Sequence, residues 1–390
     1  MKQPTVLTIV GISGDLSRRY LLPAIEKLAS GGNLPEHFKI IGVTRQPDLT
    51  LQDVLPDLPA DNFIIKNTEM CHVDLTKLAD YQRLKEHIEA FEKDFGSVAQ
   101  HLFHLSVPPL VAQPVVELLG ESGLSGGPDT KLLLEKPFGD DLASAEEFNQ
   151  HLIKFFKENQ VYRIDHYLAK NIAQQLINTQ DIDPSKINAV SVVASEAIGV
   201  EGRAVFYEQT GALKDFVQSH LLQLAALTLM ERNSTPLSDR RMAALQLLHL
   251  PYNQPIVDVV VRGQYDTYQE EVKNPGSTTE TFVSLKLQTE DPRWKDVPIQ
   301  LTTGKALDKK ITQVVLKTDT GDQIITNEDG KSPEAYQKLF LDAITGQREL
   351  FVTGPEVLES WRILQPIEQA WEMSSKDLRI YKSGSSPQNV

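Results

Sequence analysis

A doubly wound parallel α/β sheet, followed by a mostly antiparallel sheet with helices on one face, is the fold class predicted by this chain of 390 residues. Three observations carry the prediction. The first third alternates β-branched runs with amphipathic stretches, as strand–helix–strand units do. A glycine turn, Gly11-Ile12-Ser13-Gly14, separates the first run from the first amphipathic stretch. After about residue 185 the apolar runs lack regularly intervening helices, which favours antiparallel pairing. At roughly 100–200 residues per domain the length fits two domains. We divide them at 1–165 and 166–390, with the terminal helices packing back toward the first.

Each element follows from its residues. Residues 6–10, Val-Leu-Thr-Ile-Val, read as a strand buried in a parallel sheet. Residues 17–29 read as a helix with Leu21, Leu22, Ile25 and Leu28 on one stripe, ended by Gly31-Gly32-Asn33. Residues 39–43 form the second strand, and 79–91 an amphipathic helix. Residues 101–107, closed by Pro108-Pro109, and 131–134, followed by Glu135-Lys136-Pro137, are further strands. Beyond residue 185, strands are expected at 187–194, 257–261, 281–288, 299–302 and 313–317, and helices at 213–230, 333–344 and 355–372. The polar tail from Ser374 reads as a loop.

Composition removes several function classes. The net charge is −14, from 39 Lys+Arg against 53 Asp+Glu. A nucleic-acid binder needs a basic face to displace counterions, and a protein docking on anionic lipid needs basic charge as well. A local basic pocket stays open. Cys71 is the single cysteine, so a disulfide within the chain and a cysteine-rich zinc site are excluded. The apolar run at 6–10 is too short for a signal peptide or a membrane span. The reading is a cytoplasmic protein with no membrane partner.

The glycine turn is the first candidate site. Gly11, Ser13, Gly14, Asp15 and Leu16 follow a strand and open a helix, where free N–H groups and the helix dipole receive a pyrophosphate. The spacing is G-x-x-G, and a turn that needs only a tight backbone is the alternative reading. The second strand ends in Thr44-Arg45. In a Rossmann-like domain an acidic residue there would hold the 2′-hydroxyl of NAD, whereas a guanidinium suits a 2′-phosphate. NADP is therefore favoured, with NAD as the alternative.

Three polar clusters follow. Glu135-Lys136-Pro137-Phe138-Gly139 lies just past a buried strand, where α/β sheets bind ligands. Arg163-Ile164-Asp165-His166-Tyr167-Leu168-Ala169-Lys170 places His166 and Lys170 at i,i+4 if a helix starts near Asp165, offering several donors to one phosphoryl group. Lys214 to Gln223 carries Asp215 and His220 among leucines. A buried imidazole needs a partner. On an α-helix Asp215 lies about 140° away from His220, so Asp165 is the better candidate.

Together these segments resemble the glucose-6-phosphate dehydrogenase family. The resemblance extends through I-G-V-T-R (41–45), S-V-P-P (106–109), E-G-R (201–203), G-S-T-T-E-T-F (276–282), G-K-A-L (304–307), E-A-Y (334–336) and W-R-I (361–363). It implies that His220 is the general base at the sugar C1 hydroxyl and that Asp165 stabilises its imidazolium. It further implies that His166, Tyr167 and Lys170 bind the 6-phosphate and that Glu196 and Asp215 hold sugar hydroxyls. Lys136 and Lys305 would reach the sugar, with Lys310 nearby, and Lys136 would also meet the cofactor. No metal is implied, and a homodimer or tetramer is. The chain departs from the family at Ala169, where glycine is usual, at Asn171, where glutamate is usual, and in lacking residues, mostly between Val315 and Ser332. The rival readings are a dehydrogenase of another sugar of the Gfo/Idh/MocA kind and a non-catalytic scaffold on this fold.

Overall fold

The computed structural model describes residues 2–127, 129–179, 182–327 and 333–390. The chain divides into two compact units. The first takes in residues up to Gly139, then Ala143–Ala169 and Lys331–Gly354; the second takes in Asp140–Leu142, Lys170–Gly330 and Pro355–Val390. The expected boundary at 165/166 thus falls at 169/170. Of the two terminal helices, Pro333–Thr345 belongs to the first unit and most of Gly354–Met373 to the second.

The first unit is built on β1 (Thr5–Val10), β2 (Phe38–Thr44), β3 (Thr68–His72), β4 (Gln100–Leu105), β5 (Thr130–Glu135) and β6 (Val161–Ile164). These pair in parallel in the order β6-β5-β4-β1-β2-β3, which is the doubly wound order with a switch point at β1. All six residues of β1 are buried, as expected of a strand covered on both faces. Strands β3 and β6 escape the sequence reading: β3, Thr-Glu-Met-Cys-His, has neither an apolar run nor an alternating pattern, and the four-residue β6 contains Arg163. Pro108-Pro109 closes β4 and also opens the helix Pro109–Glu121, with proline at its first position, where no N–H is needed.

The returning segment completes this unit. Its strand Phe351–Val352 pairs antiparallel with β6 at the sheet edge. The Gln100 amide donates to the Ile344 carbonyl at 2.9 Å, and Lys131 Nζ donates to Gln100 Oε1 at 2.7 Å and to the Ala343 carbonyl at 2.6 Å. Burial brings the Lys131 ammonium down to about 8.

In the second unit the sheet contains β7 (Ile187–Ser195), β8 (Leu248–His249), β9 (Val260–Tyr265), β10 (Phe282–Thr289), β11 (Ile299–Gly304), β12 (Ile311–Thr318) and β13 (Gln323–Thr326). Numbering the edge strand of the first unit β14 (Phe351–Val352), the last is β15 (Leu378–Tyr381). The order is β13-β12-β7-β11-β10-β9-β15, with β8 paired to β10. Pairing is antiparallel except at β7–β11 and β9–β15. The helices Leu213–Leu221 and Leu222–Leu229 run on from each other, and the former packs across β7, β10 and β11. A fully buried ion pair, Arg241 Nε to Glu356 Oε1 at 2.8 Å, ties Leu237–Leu247 to the terminal helix.

Two expectations are corrected here. Residues 257–261 do not form one strand: Ile256–Val259 is a helical turn that follows an extended Pro255, and the strand begins at Val260. The tail after Ser374 is not all loop. Strand β15 lies parallel to β9, and the Tyr381 hydroxyl donates to the Lys305 carbonyl at 2.7 Å. The strand is only four residues long, Leu-Arg-Ile-Tyr, and the polar residues on either side of it give the segment its loop-like appearance.

Candidate active site

In the first unit the carboxyl ends of the strands carry the candidate groups. β1 runs into Gly11, whose φ of +89° and whose approach to the Ser106 carbonyl leave no room for a Cβ. The Gly14 N–H donates to the Gly11 carbonyl at 3.0 Å, and the Ser17 hydroxyl donates to the same carbonyl at 3.1 Å. Ser17 also reaches Ser106 Oγ at 3.1 Å, so the S-V-P-P loop is fastened to the turn. The helix begins as a wide turn, Ser17–Leu21, after half-buried Leu16. Ser13 and Asp15 are exposed, and Asp15 faces Arg19 at 3.4 Å. At the end of β2 Thr44 is buried, its Oγ1 accepting the Gln46 N–H at 3.1 Å, and Arg45 is exposed. This is a backbone cradle with a guanidinium one strand away and no carboxylate at the β2 terminus, a donor set that fits a dinucleotide bearing a 2′-phosphate.

Glu135 ends β5, and half-buried Lys136 follows it and joins Pro137 through a cis peptide bond. The Glu135 carboxylate lies 3.3 Å from Nε2 of fully buried His104. Burial and a hydrogen bond to Glu135 push the Tyr336 phenol well up. The Tyr336 ring in turn lies nearly parallel to that of His166, 6.3 Å between centroids at 9°. Within β6, Arg163 is buried against Glu158 at 2.8 Å and Asn149 at 2.7 Å. Glu158 also accepts the Gly354 N–H at 3.0 Å. This bracing sets the strand end from which Asp165, 1% exposed, emerges.

The segment after Asp165 is not the α-helix expected from the i,i+4 spacing. Asp165 Oδ1 accepts the Tyr167 N–H at 3.0 Å and the Asp165 carbonyl accepts the Leu168 N–H at 3.0 Å, which tightens His166–Ala169 into a 3₁₀ turn. Lys170 is extended and precedes the helix Asn171–Asn178, so it is not stacked one turn above His166. Lys170 begins the second unit.

In the second unit the helix Leu213–Leu221 is π-type, so the 140° separation of Asp215 and His220 does not hold. With hydrogen bonds running i→i+5, residues five apart lie closer around the axis than on an α-helix. His220 is 1% exposed and its ring meets Phe216 edge-on at 5.4 Å. Lys305 Nζ pairs with the Glu196 carboxylate and lies 5.1 Å over the Tyr207 ring. Burial, together with Asp215, Glu280, Tyr381 and Glu196 around it, pushes the Tyr207 phenol far up. One side chain thus touches the environment of most candidate sugar ligands of this unit. Arg203 approaches Asp215 at 3.8 Å. Lys310 is exposed, between β11 and β12.

The sequence reading missed Tyr207, Glu280, His104 and the role of Tyr336. Their signals were faint: Tyr336 and Glu280 lie in quoted motifs, whereas His104 and Tyr207 look like ordinary core positions. Arg203 was quoted in E-G-R, and its partner was not foreseen.

Comparison with known proteins gives matches over nearly the whole chain. The family model described as glucose-6-phosphate dehydrogenase, NAD binding domain, matches residues 8–175. The model for the C-terminal domain of the same family matches 173–328 and 319–389. Glucose-6-phosphate 1-dehydrogenase of Chlamydia muridarum is 29% identical over 476 aligned positions, covering 98% of this chain and 93% of that protein. The alignment is longer than the 390 residues available, so the missing residues are internal. The overlap of the two C-terminal matches at 319–328 falls where the loss was expected. A solved structure described as glucose-6-phosphate dehydrogenase in complex with its substrate glucose-6-phosphate is 26% identical, with TM-score 0.89, covering 99% of this chain and 96% of that one. A second, from Mycobacterium avium, is 27% identical with TM-score 0.82, covering 99% and 95%.

Proposed function

Because this chain belongs to the glucose-6-phosphate dehydrogenase family, we propose that it oxidises glucose 6-phosphate at C1 to the 6-phosphogluconolactone, with NADP as hydride acceptor. The observation that carries this reading is the match of both family domains across the chain, with every proposed catalytic group present.

His220 is assigned the role of general base at the C1 hydroxyl, and Asp165 that of the carboxylate that stabilises the resulting imidazolium. A buried imidazole on a packed helix loses little freedom on binding substrate, which favours its use as a positioned base. His166, Tyr167 and Lys170 are assigned to the 6-phosphate, Glu196 and Asp215 to sugar hydroxyls, and Lys136, Lys305 and Lys310 to the sugar from their separate segments. The Lys305–Glu196 pair would orient both groups before the sugar arrives.

Gly11, Ser13, Gly14, Asp15 and Leu16 would hold the cofactor pyrophosphate, Thr44 and Arg45 its 2′-phosphate, and Lys136 its nicotinamide end. Bound there, NADP supplies the acceptor for the hydride. We place the protein in the cytoplasm as a homodimer or tetramer. No helix among the described residues is long and apolar enough to cross a membrane.

The test is a steady-state assay of the purified protein with glucose 6-phosphate, comparing NADP with NAD. Reduction of NADP with a higher kcat/KM than NAD is expected. Activity confined to free glucose or inositol, or no reduction at any substrate concentration, overturns the reading.

A further inference from the structure

The helix bearing Asp215 and His220 is held at its start by a residue 65 or more positions away, and the hold passes through one side chain. The chain breaks at Gly211, with φ 60° and ψ −174°, before the helix resumes at Leu213. The first N–H groups of a helix have no partner within it. Here the Ala212 N–H donates to the Glu280 carbonyl at 3.0 Å and the Leu213 N–H donates to Glu280 Oε1 at 2.9 Å. A Cβ on Gly211 would run into the Glu280 carboxyl, so the glycine and the close approach require each other.

The next residue extends the connection. The Lys305 N–H donates to the Thr281 carbonyl at 2.9 Å, and Thr281 Oγ1 lies 2.8 Å from the Tyr381 hydroxyl. One dipeptide therefore joins the helix start, the backbone of Lys305 and the last strand. Resting on the proposed roles of His220, Asp215 and Lys305, we infer that Glu280 is a positioning residue: its side-chain oxygen fixes the helix of the base relative to Lys305.

The charge environment gives this group a signature. Arg262 on β9 and Lys214 on the helix favour the carboxylate, and the buried Tyr207 phenol faces it from the preceding helix. Burial outweighs the Leu213 N–H hydrogen bond and the two cations, all of which favour the carboxylate, and pushes Glu280 up to about 7. The folded-state value lies above the unfolded one, so the neutral form favours the fold. That contribution is complete in acid and is lost as pH rises through about 7.

The test uses Glu280→Gln, which keeps an acceptor oxygen and cannot ionise, and Glu280→Leu, which removes the acceptor. In the glucose 6-phosphate assay the Leu variant is expected to lose about tenfold in kcat, with the KM for NADP little changed, and the Gln variant to recover most of the loss. A folded Leu variant with wild-type kcat overturns the inference. Hydrogen exchange at the amides of residues 212–214 provides a readout that needs no turnover. Protection in the Leu variant should fall below that of the wild type, with the Gln variant close to the wild type, and equal protection in all three overturns the inference. A wild-type enzyme with no turnover would overturn the functional reading instead, leaving the exchange comparison to decide on Glu280.

Discussion

In the first unit the candidate cofactor cradle is made of backbone: a glycine at φ +89°, a carbonyl it presses against, and the free N–H groups of a helix start. In the second unit the candidate sugar site draws on ionisable side chains, several of them buried. Lys305, Asp215 and His220, and Glu280 behind them, are each less than a tenth exposed. A phosphate-bearing dinucleotide is long and uniform enough to be met by peptide dipoles. A sugar presents hydroxyls that must be told apart, which needs directional side chains. The two units should therefore fail differently when altered.

The largest expected effect is on stability in the second unit. Glu356→Ala strips the partner from a guanidinium that is 0% exposed and should cost about 3–5 kcal/mol, measured by urea unfolding. A loss below about 1 kcal/mol would mean that buried charge does not organise this unit. Next comes the chemistry. His220→Asn should lower kcat by ~10²-fold or more while substrate still binds, since a base acts in the transition state. Retained turnover would remove His220 from the mechanism.

For the backbone half, Gly11→Ala should cost about 1–3 kcal/mol and weaken NADP binding, through the strained φ and the contact with Ser106. Calorimetric titration with NADP measures the second effect; unaltered affinity would show that the cradle tolerates a side chain. The smallest effect belongs to Arg203→Ala. Its side chain is 57% exposed, so losing the 3.8 Å approach to Asp215 should change binding of the sugar phosphate by less than about 1 kcal/mol. A larger loss, seen as a raised KM, would make Arg203 a sugar ligand.

The same contrast explains what the sequence disclosed. The cradle was legible because its requirements are local: β1, Gly11 to Gly14 and the following helix are contiguous, and Arg45 follows the second strand directly. The sugar half was legible only through its family resemblance. No local pattern shows that Glu280 caps Leu213 or that Tyr207 lies beside Lys305, because such contacts join segments far apart in the chain. Local geometry also misled in two places. The i,i+4 argument for His166 and Lys170 assumed an α-helix where Asp165 tightens a 3₁₀ turn. The 140° argument for Asp215 and His220 assumed an α-helix where the turns are wide. Spacing rules hold only for the helix type they presuppose.

The edge strand of the first unit has a bearing on how the protein is made. Synthesis delivers β1 to β6 early, yet their sheet acquires its last strand, Phe351–Val352, only when the chain is almost complete. Until then Gln100 and Lys131 lack the carbonyls of Ile344 and Ala343, and Glu158 lacks the Gly354 amide. The N-terminal unit is therefore expected to keep an open sheet edge until residues 343–354 have been made. A protein cut after residue 169 would be born with the same defect and nothing to close it.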